Sequence, residues 1–585
     1  QVKCAPWKPM VNKGGGVGPQ AVVVVPEVET EASKTASVDC MGATKTAAVA
    51  WSDEAEKPSE GGHAVVPSVP TGHGIGHMRH ELALRWPYYR SDWSDGCSFK
   101  VLAATCYMFC ASIAPAITLG AFLLMEVEDQ MGPIEVLLST AICGVTFSVV
   151  AGQGLVIVGV TGPVCIFSAT VYKWSKDLDF PFLQWMGWIA IWACFMHLAL
   201  AITGACRFVS HVTRYACETF GSLIGTIYVY TAMADLVRFF RDERPASALL
   251  CVILCLGTHM LAEAFAGARG WSLFNKTLRE ALASYAVPLS MLIWTLVSIL
   301  ARDTSLGVDV PRIRVAETFA PTISRPWLVD LGNCPVAGIF SAIIPAFVLT
   351  VLFFFDHNVS SLMSQAPKFN LKKPSAYNWD FFVVGILILV CGVLGLPFTN
   401  GLIPQAPLHV EALATYEERK AKDGSTRSVV VHVAEQRVSN CVHALAIGLC
   451  CTPPVLKLLQ TIPLSVLSGL FLYMGLSSFV GNGFVARMLL PIRDPKRRSP
   501  ELYGALKSLL STGKGIKEVA FYTFLQFFLW GAIFGVTFTP AAISFPLLIA
   551  ALVLVRWRVL PCFFSDDAIQ RMDGEEHQDV EEMHE

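Results

Sequence analysis

A carboxylate inside an apolar run and two interrupted apolar segments are the residues of this chain that could do chemistry together. Asp356 ends the run AIIPAFVLTVLFFFD, Thr161, Gly162, Pro163 and Val164 interrupt LVIVGVTGPVCIF, and Pro404, Gln405, Ala406 and Pro407 interrupt LGLPFTNGLIPQAPLHV. Proline fits the opening turn of a helix, where no intrahelical donor is needed. A helix that begins within a bilayer offers free N–H groups and partial positive charge at its start. Two such starts facing each other would hold a small anion without a full positive charge. The candidate substrate-binding residues are therefore Asp356, Gln405, Thr161, Gly162, Pro163, Val164 and Ala406. Asp356 is also the candidate proton-coupling group, because a carboxyl that takes up a proton as the anion arrives compensates its charge. The competing reading makes Asp356 an ordinary helix-end acid at the water interface.

These residues need a membrane-embedded frame, and the composition supplies one. Of 585 residues, 54% are hydrophobic and only 15% charged, too few charges to cover a soluble protein of this size, so the chain reads as an all-α polytopic membrane protein. Apolar runs recur from Val101 to Leu560, about fourteen in number. SIAPAITLGAFLL around Pro115 is similar to AIIPAFVLTVLFF around Pro345, and carboxylates follow both, Glu126 and Asp356. The broken third run then matches the broken tenth in order. Seven spans per half is an odd number, so the halves would have opposite orientation, which is an inverted repeat.

The expected organisation is a disordered cytosolic tail at 1–87, a first repeat at 88–302, an extracellular loop at 303–335, a second repeat at 336–562 and an acidic cytosolic tail at 563–585. Lys and Arg gather after the eighth, tenth, twelfth and last runs, which places those loops and both tails in the cytosol; Arg238, Arg241 and Arg244 after the fifth run go against that count. The 18 cysteines lie mostly within apolar runs and read as packing residues. No metal-ligand cluster or nucleophile–base pair is visible, so no cofactor and no enzyme chemistry is expected. A net charge of -2 gives no reason to expect a nucleic-acid partner. Arg214 and Glu218 read as an i,i+4 pair, and His197 and His259 as packing residues; His409 and Glu411 lie in the tenth run, past its binding end.

The stretches YYRSDWSDG (Tyr88 to Gly96), SIAPAITLG, GVTGPVCIF, FFDHNVSSLMSQ, FNLKKPSAYNWD, LGLPFTNGLIPQAPLHVEALA and SVLSGLFLYMGLSSFVGNGFVARMLL together resemble the bicarbonate-transporter-like anion carriers, solute carrier family four, and within them the eukaryotic borate exporters. The resemblance runs from Tyr88 to about Ile569. It implies fourteen spans in a seven-plus-seven inverted repeat. Spans one to four and eight to eleven would form a core that carries substrate. Spans five to seven and twelve to fourteen would form a gate that makes a homodimer, with elevator-like transport. It also implies a site between the third and tenth half-helices with an acid from the eighth span, the position of Asp356. Gln405 resembles the Pro-Gln pair of borate exporters, where many chloride/bicarbonate exchangers carry a basic residue. The function implied is borate or boric acid efflux at the plasma membrane, coupled to protons or hydroxide. The alternatives are bicarbonate/chloride exchange and a proton or hydroxide conductance.

Overall fold

The computed structural model describes residues 75–303, 307–315, 317–403, 405–420, 426–494, 506–510 and 513–573. Most of the two expected tails and Pro404 lie outside the described residues, but the tail boundaries need correction. Gly76–Arg85 (α1) and Tyr89–Ser94 (α2) are helical, joined by a tight turn at Trp86–Tyr88. Glu81 of α1 accepts hydrogen bonds from Asn378 Nδ2 and the Trp379 N–H at 2.7 and 2.9 Å. These partners, nearly 300 residues away, are what order a segment with no period of its own. At the other end Asp566–Asp573 is also a helix. Its Ala568, Ile569 and Met572 are buried, and its Asp573 pairs with Arg556 and accepts from the Tyr215 N–H.

Between these ends run Phe99–Glu126 (α3), Pro133–Val150 (α4), Gly162–Asp177 (α5), Phe182–Ile202 (α6), Arg214–Asp242 (α7), Pro245–Ala266 (α8), Lys276–Ser284 (α9) and Ala286–Asp303 (α10). The second half has Val336–Ser341 (α11), Ile343–Ser364 (α12), Tyr377–Leu394 (α13), Gln405–Leu413 (α14), Val438–Leu449 (α15), Pro453–Leu459 (α16), Leu464–Ser477 (α17) and Gly483–Met488 (α18). Lys507–Leu510 (α19), Gly513–Val536 (α20), Phe545–Leu554 (α21) and Asp566–Asp573 (α22) complete it. Among the described residues, ten helices are long and apolar enough to cross a membrane, and α15 with α16 forms an eleventh bent by 80°. The other expected spans are shorter: α17 has 14 residues, α5 16 and α14 9. The third and tenth apolar runs are thus not through-helices. Each is an extended approach followed by a half-helix.

The helices sort into two bundles. In one, α3, α4, α5 and α6 interleave with α12, α13, α14 and α15, with α13 along α6 and α15 along α4. In the other, α17 lies along α7 and α8, with α10, α20 and α21 around them. These are the groupings expected of core and gate. Close approach in the second bundle depends on small residues: a Cβ on Gly225 of α7 would meet the Gly475 carbonyl of α17 at 2.9 Å, and one on Gly475 would meet the Gly225 carbonyl at 2.6 Å. The bundles touch where α3 meets α10 and α17, and where α12 meets α21.

Candidate functional site

The first bundle is built around a crossing of its two halves. Val158–Gly159 (β1) pairs antiparallel with Asn400–Gly401 (β2), with Val158 opposite Gly401 and Gly159 opposite Asn400. The Leu402 N–H donates to the Ile157 carbonyl at 2.9 Å. A half-helix follows each strand within a few residues, α5 from Gly162 and α14 from Gln405. Antiparallel strands send these helices away in opposite directions, so their N-termini sit together at the crossing. This is the arrangement an inverted repeat generates.

Asp356 lies beside this crossing. It is 2% exposed, and it sits inside α12, which continues to Ser364. The reading of Asp356 as an interfacial helix-end acid therefore fails, and so does its symmetry with Glu126. Glu126 ends α3 at the surface and pairs with Lys173 at 3.2 Å. Thr161, at the N-cap of α5, makes no capping bond; its hydroxyl donates to Asp356 Oδ2 at 3.4 Å. Asn400, which the sequence did not single out, lies within electrostatic reach of Asp356. Its Nδ2 makes no regular hydrogen bond among the described residues, and neither do Gln405 Oε1 and Ser360 Oγ, all buried. Buried polar atoms normally find partners. Their clustering next to two helix starts makes this the candidate place for a polar ligand. Gly162, Pro163 and Val164 form the first turn of α5 and are buried, and Gln405 and Ala406 open α14, also buried. Because Pro163 has no N–H, the donors of the first turn of α5 come from Gly162 and Val164.

Extended backbone within a membrane must be satisfied by protein, and the chain does this with side chains far away in sequence. The C-terminus of α4 and the residues after it give their carbonyls to Arg437: Nη1 donates to Ser148 at 3.0 Å and to Ala151, and Nη2 to Gly152 at 2.8 Å. Asp380 accepts the N–H groups of Gly152 and Gln153. Asn440 Nδ2 donates to the Val156 carbonyl at 2.8 Å. His409 sits between the Leu155 carbonyl at 2.8 Å and the Ser439 hydroxyl at 2.6 Å. Arg437 is itself held by Asp92, with Nε to Oδ2 at 2.8 Å. Lys373 takes the other Asp92 oxygen at 2.8 Å. The YYRSDWSDG stretch thus places an anchor for the half-helix, beyond the interfacial role its aromatic residues indicate.

The profile described as HCO3- transporter integral membrane domain matches residues 74–244 and 241–577. The chain belongs to this bicarbonate-transporter family. Boron transporter 1 of Saccharomyces cerevisiae is 35% identical over 83% of this chain and 83% of its own length. Probable boron transporter 3 of Arabidopsis thaliana is 31% identical over 86% of this chain and 81% of its own. Electrogenic sodium bicarbonate cotransporter 1 of Ambystoma tigrinum is 29% identical over 86% of this chain and 55% of its own. The structure of the murine Slc26a9 anion transporter in the inward-facing state shares the fold, with a TM-score of 0.53 at 12% identity, covering 83% of this chain and 72% of that one. The protein is thus an integral membrane transporter of the bicarbonate-transporter family, and its apolar helices agree with that.

Within this transporter frame, sequence reasoning missed four residues. Asn400 was visible only as part of a motif string. Asp380 and Arg437 looked like span-flanking charges, and nothing local marked them as buried. Tyr228 lies in a run, FGSLIGTIYVYTAMADL, whose apolar residues hide which face meets the other bundle. The expected Arg214–Glu218 pair is present at 2.7 Å and extends to Arg487, which reaches Glu218 at 2.8 Å. Among the described residues no group of three or more His, Cys, Asp or Glu could hold a metal.

Proposed function

We propose that this transporter exports borate, taken up between the starts of α5 and α14 and carried by movement of the first bundle against the second. The observation that carries this is the buried set at the crossing: among the described residues Asp356 meets only neutral partners, the Thr161 hydroxyl at 3.4 Å and the Asn400 side chain, with Gln405 Oε1 left unpaired. Boric acid gains hydroxide to become a tetrahedral anion, B(OH)3 + OH− giving B(OH)4−, so its movement is linked to pH. Each of its hydroxyls can donate and accept, and a set of neutral donors and acceptors suits it better than an arginine would. Asp356 accepts from one hydroxyl and takes up the coupled proton; Thr161 and Gln405 engage others. The names of the yeast and plant relatives support borate. The cotransporter of Ambystoma supports bicarbonate as the second reading. The protein acts at the plasma membrane as a homodimer, with both termini cytosolic.

The test is boron content in boron-loaded cells lacking their own exporter. Wild type lowers it, and Asp356→Asn at equal surface level abolishes the effect, a loss of about tenfold or more in flux, as for a lost charge-assisted bond. Unchanged boron with a correctly placed wild-type protein overturns the borate reading and directs attention to bicarbonate flux.

A further inference from the structure

A cavity of about 180 Å³ opens between α3, α7 and α17, lined by Phe122, Asp235, Arg238, Arg314, Ser468 and Phe471 among others. It lies at the C-terminal ends of α3 and α7, away from α1 and α2. Asp235 is held in it by the Ser468 hydroxyl at 2.8 Å. The inner wall is aromatic. The Phe471 ring stands 6.3 Å from that of Phe122, edge to face, and 5.4 Å from that of Tyr228. Behind Phe471, Tyr228 reaches the candidate site itself. Its hydroxyl lies so close to Gly162 that a Cβ there would collide with it, and it is within electrostatic reach of Asp356 and Cys165.

Tyr228 and Phe471 belong to the second bundle; Gly162 and Phe122 belong to the first. We propose that Tyr228 is the positioning residue with which the second bundle closes the site on the cavity side, its hydroxyl taking the place at the start of α5 that a hydroxyl of the solute takes when the site is loaded. The inference rests on the site described above and adds what guards it. The cavity is then the vestibule on one side of the transport path, and the structure is the state closed on that side. Opening it requires the first bundle to slide away from Tyr228, which breaks the contact at Gly162. The absence of a side chain at Gly162 is what allows the phenol to sit there.

The test needs no transported solute. Cys165, one turn beyond Gly162 and fully buried, is labelled with a small charged methanethiosulfonate in the purified full chain, and the site is read by mass spectrometry. Wild type labels slowly. Tyr228→Phe, which keeps the ring but loses the hydrogen bond its oxygen accepts from the Gly162 N–H, labels about fivefold faster, the shift expected from one lost hydrogen bond of ordinary strength. Tyr228→Ala labels faster still, and Gly162→Ala, which pushes the phenol out, also labels faster than wild type. Cys194 and Cys391, buried elsewhere in the first bundle, keep their wild-type rates in every variant. Wild-type rates at Cys165 in Tyr228→Phe and Gly162→Ala, with normal elution, overturn the proposal. A general rise at all three cysteines does so too, because it reports loosening rather than opening. Cys165 labelling and boron flux are independent, so either reading can fail while the other stands.

Discussion

The first bundle contains two buried polar clusters that differ in one respect, whether they are paired. Around Asp92, opposite charges meet: Arg437 and Lys373 take its two oxygens, and Arg437 spends its remaining donors on the carbonyls of Ser148, Ala151 and Gly152. Arg85 adds a longer contact at 3.4 Å, and only its Nε lacks a partner in this group. Around Asp356 no cation is in hydrogen-bonding reach among the described residues, and Gln405, Asn400 and Ser360 each keep an unpaired atom. An unsatisfied buried polar group costs free energy, so the second cluster is carried at the expense of stability. The comparison separates scaffold from candidate site: the polar groups around Asp92 are closed by the chain, and those around Asp356 are left open for the proposed solute.

The sharpest way to break this contrast is to attack the paired cluster. Arg437→Met leaves Asp92 buried without its main partner and exposes the carbonyls after α4, so about 3–5 kcal/mol of stability is lost. Thermal unfolding of the purified protein would show a large drop, and a near-wild-type midpoint would mean that the cluster is not the anchor of α5. A smaller effect of opposite sign comes from the open cluster. Gln405→Leu removes an unpaired Oε1, so stability is unchanged or rises by up to about 1 kcal/mol, while the KM for the solute increases. Loss of stability comparable to Arg437→Met would show that Gln405 is scaffold after all.

The smallest effect is a pH dependence at the edge of the paired cluster. Glu435, in the loop before α15, accepts the Lys372 N–H at 2.7 Å. Burial raises its pKa above the ordinary 4.5, and the backbone N–H groups of Lys372 and Lys373 only partly oppose this. The folded protein therefore binds this proton before the unfolded chain does. Stability falls as pH rises from 4.5 through the raised value, with a slope of at most about 1.4 kcal/mol per pH unit. Glu435→Gln flattens that slope, which a series of unfolding midpoints against pH would show; an unchanged slope would assign the dependence to another group.

Much of the candidate site could be read from residue types alone. Asp356, Thr161, Gly162 and Gln405 declared themselves because a carboxylate, a glycine–proline break and a lone glutamine are costly in apolar runs. The supports were not legible. Asp92, Asp380 and Arg437 look like ordinary flanking charges until the fold places them, and their partners lie some 230 to 345 residues away. The helices α1 and α22 were hidden for the same reason: neither is apolar enough to announce itself, and both owe their order to distant acceptors and donors. Glu126 misled because symmetry of sequence does not fix depth. Asp356 and Glu126 follow similar runs, yet α12 extends past its carboxylate while α3 stops at its own.

The sequence by itself determined that this chain is a membrane protein with a repeated half and two broken helices, because hydrophobic run length and proline chemistry are local properties that hold wherever the segment ends up. Only the tertiary structure decided that the two breaks cross as β1 and β2, that Asp356 lies buried beside them, and that Tyr228 of the other bundle stands over Gly162. Those facts depend on which distant residues satisfy a given backbone group or fill a given space, and no local pattern encodes a partner hundreds of residues away.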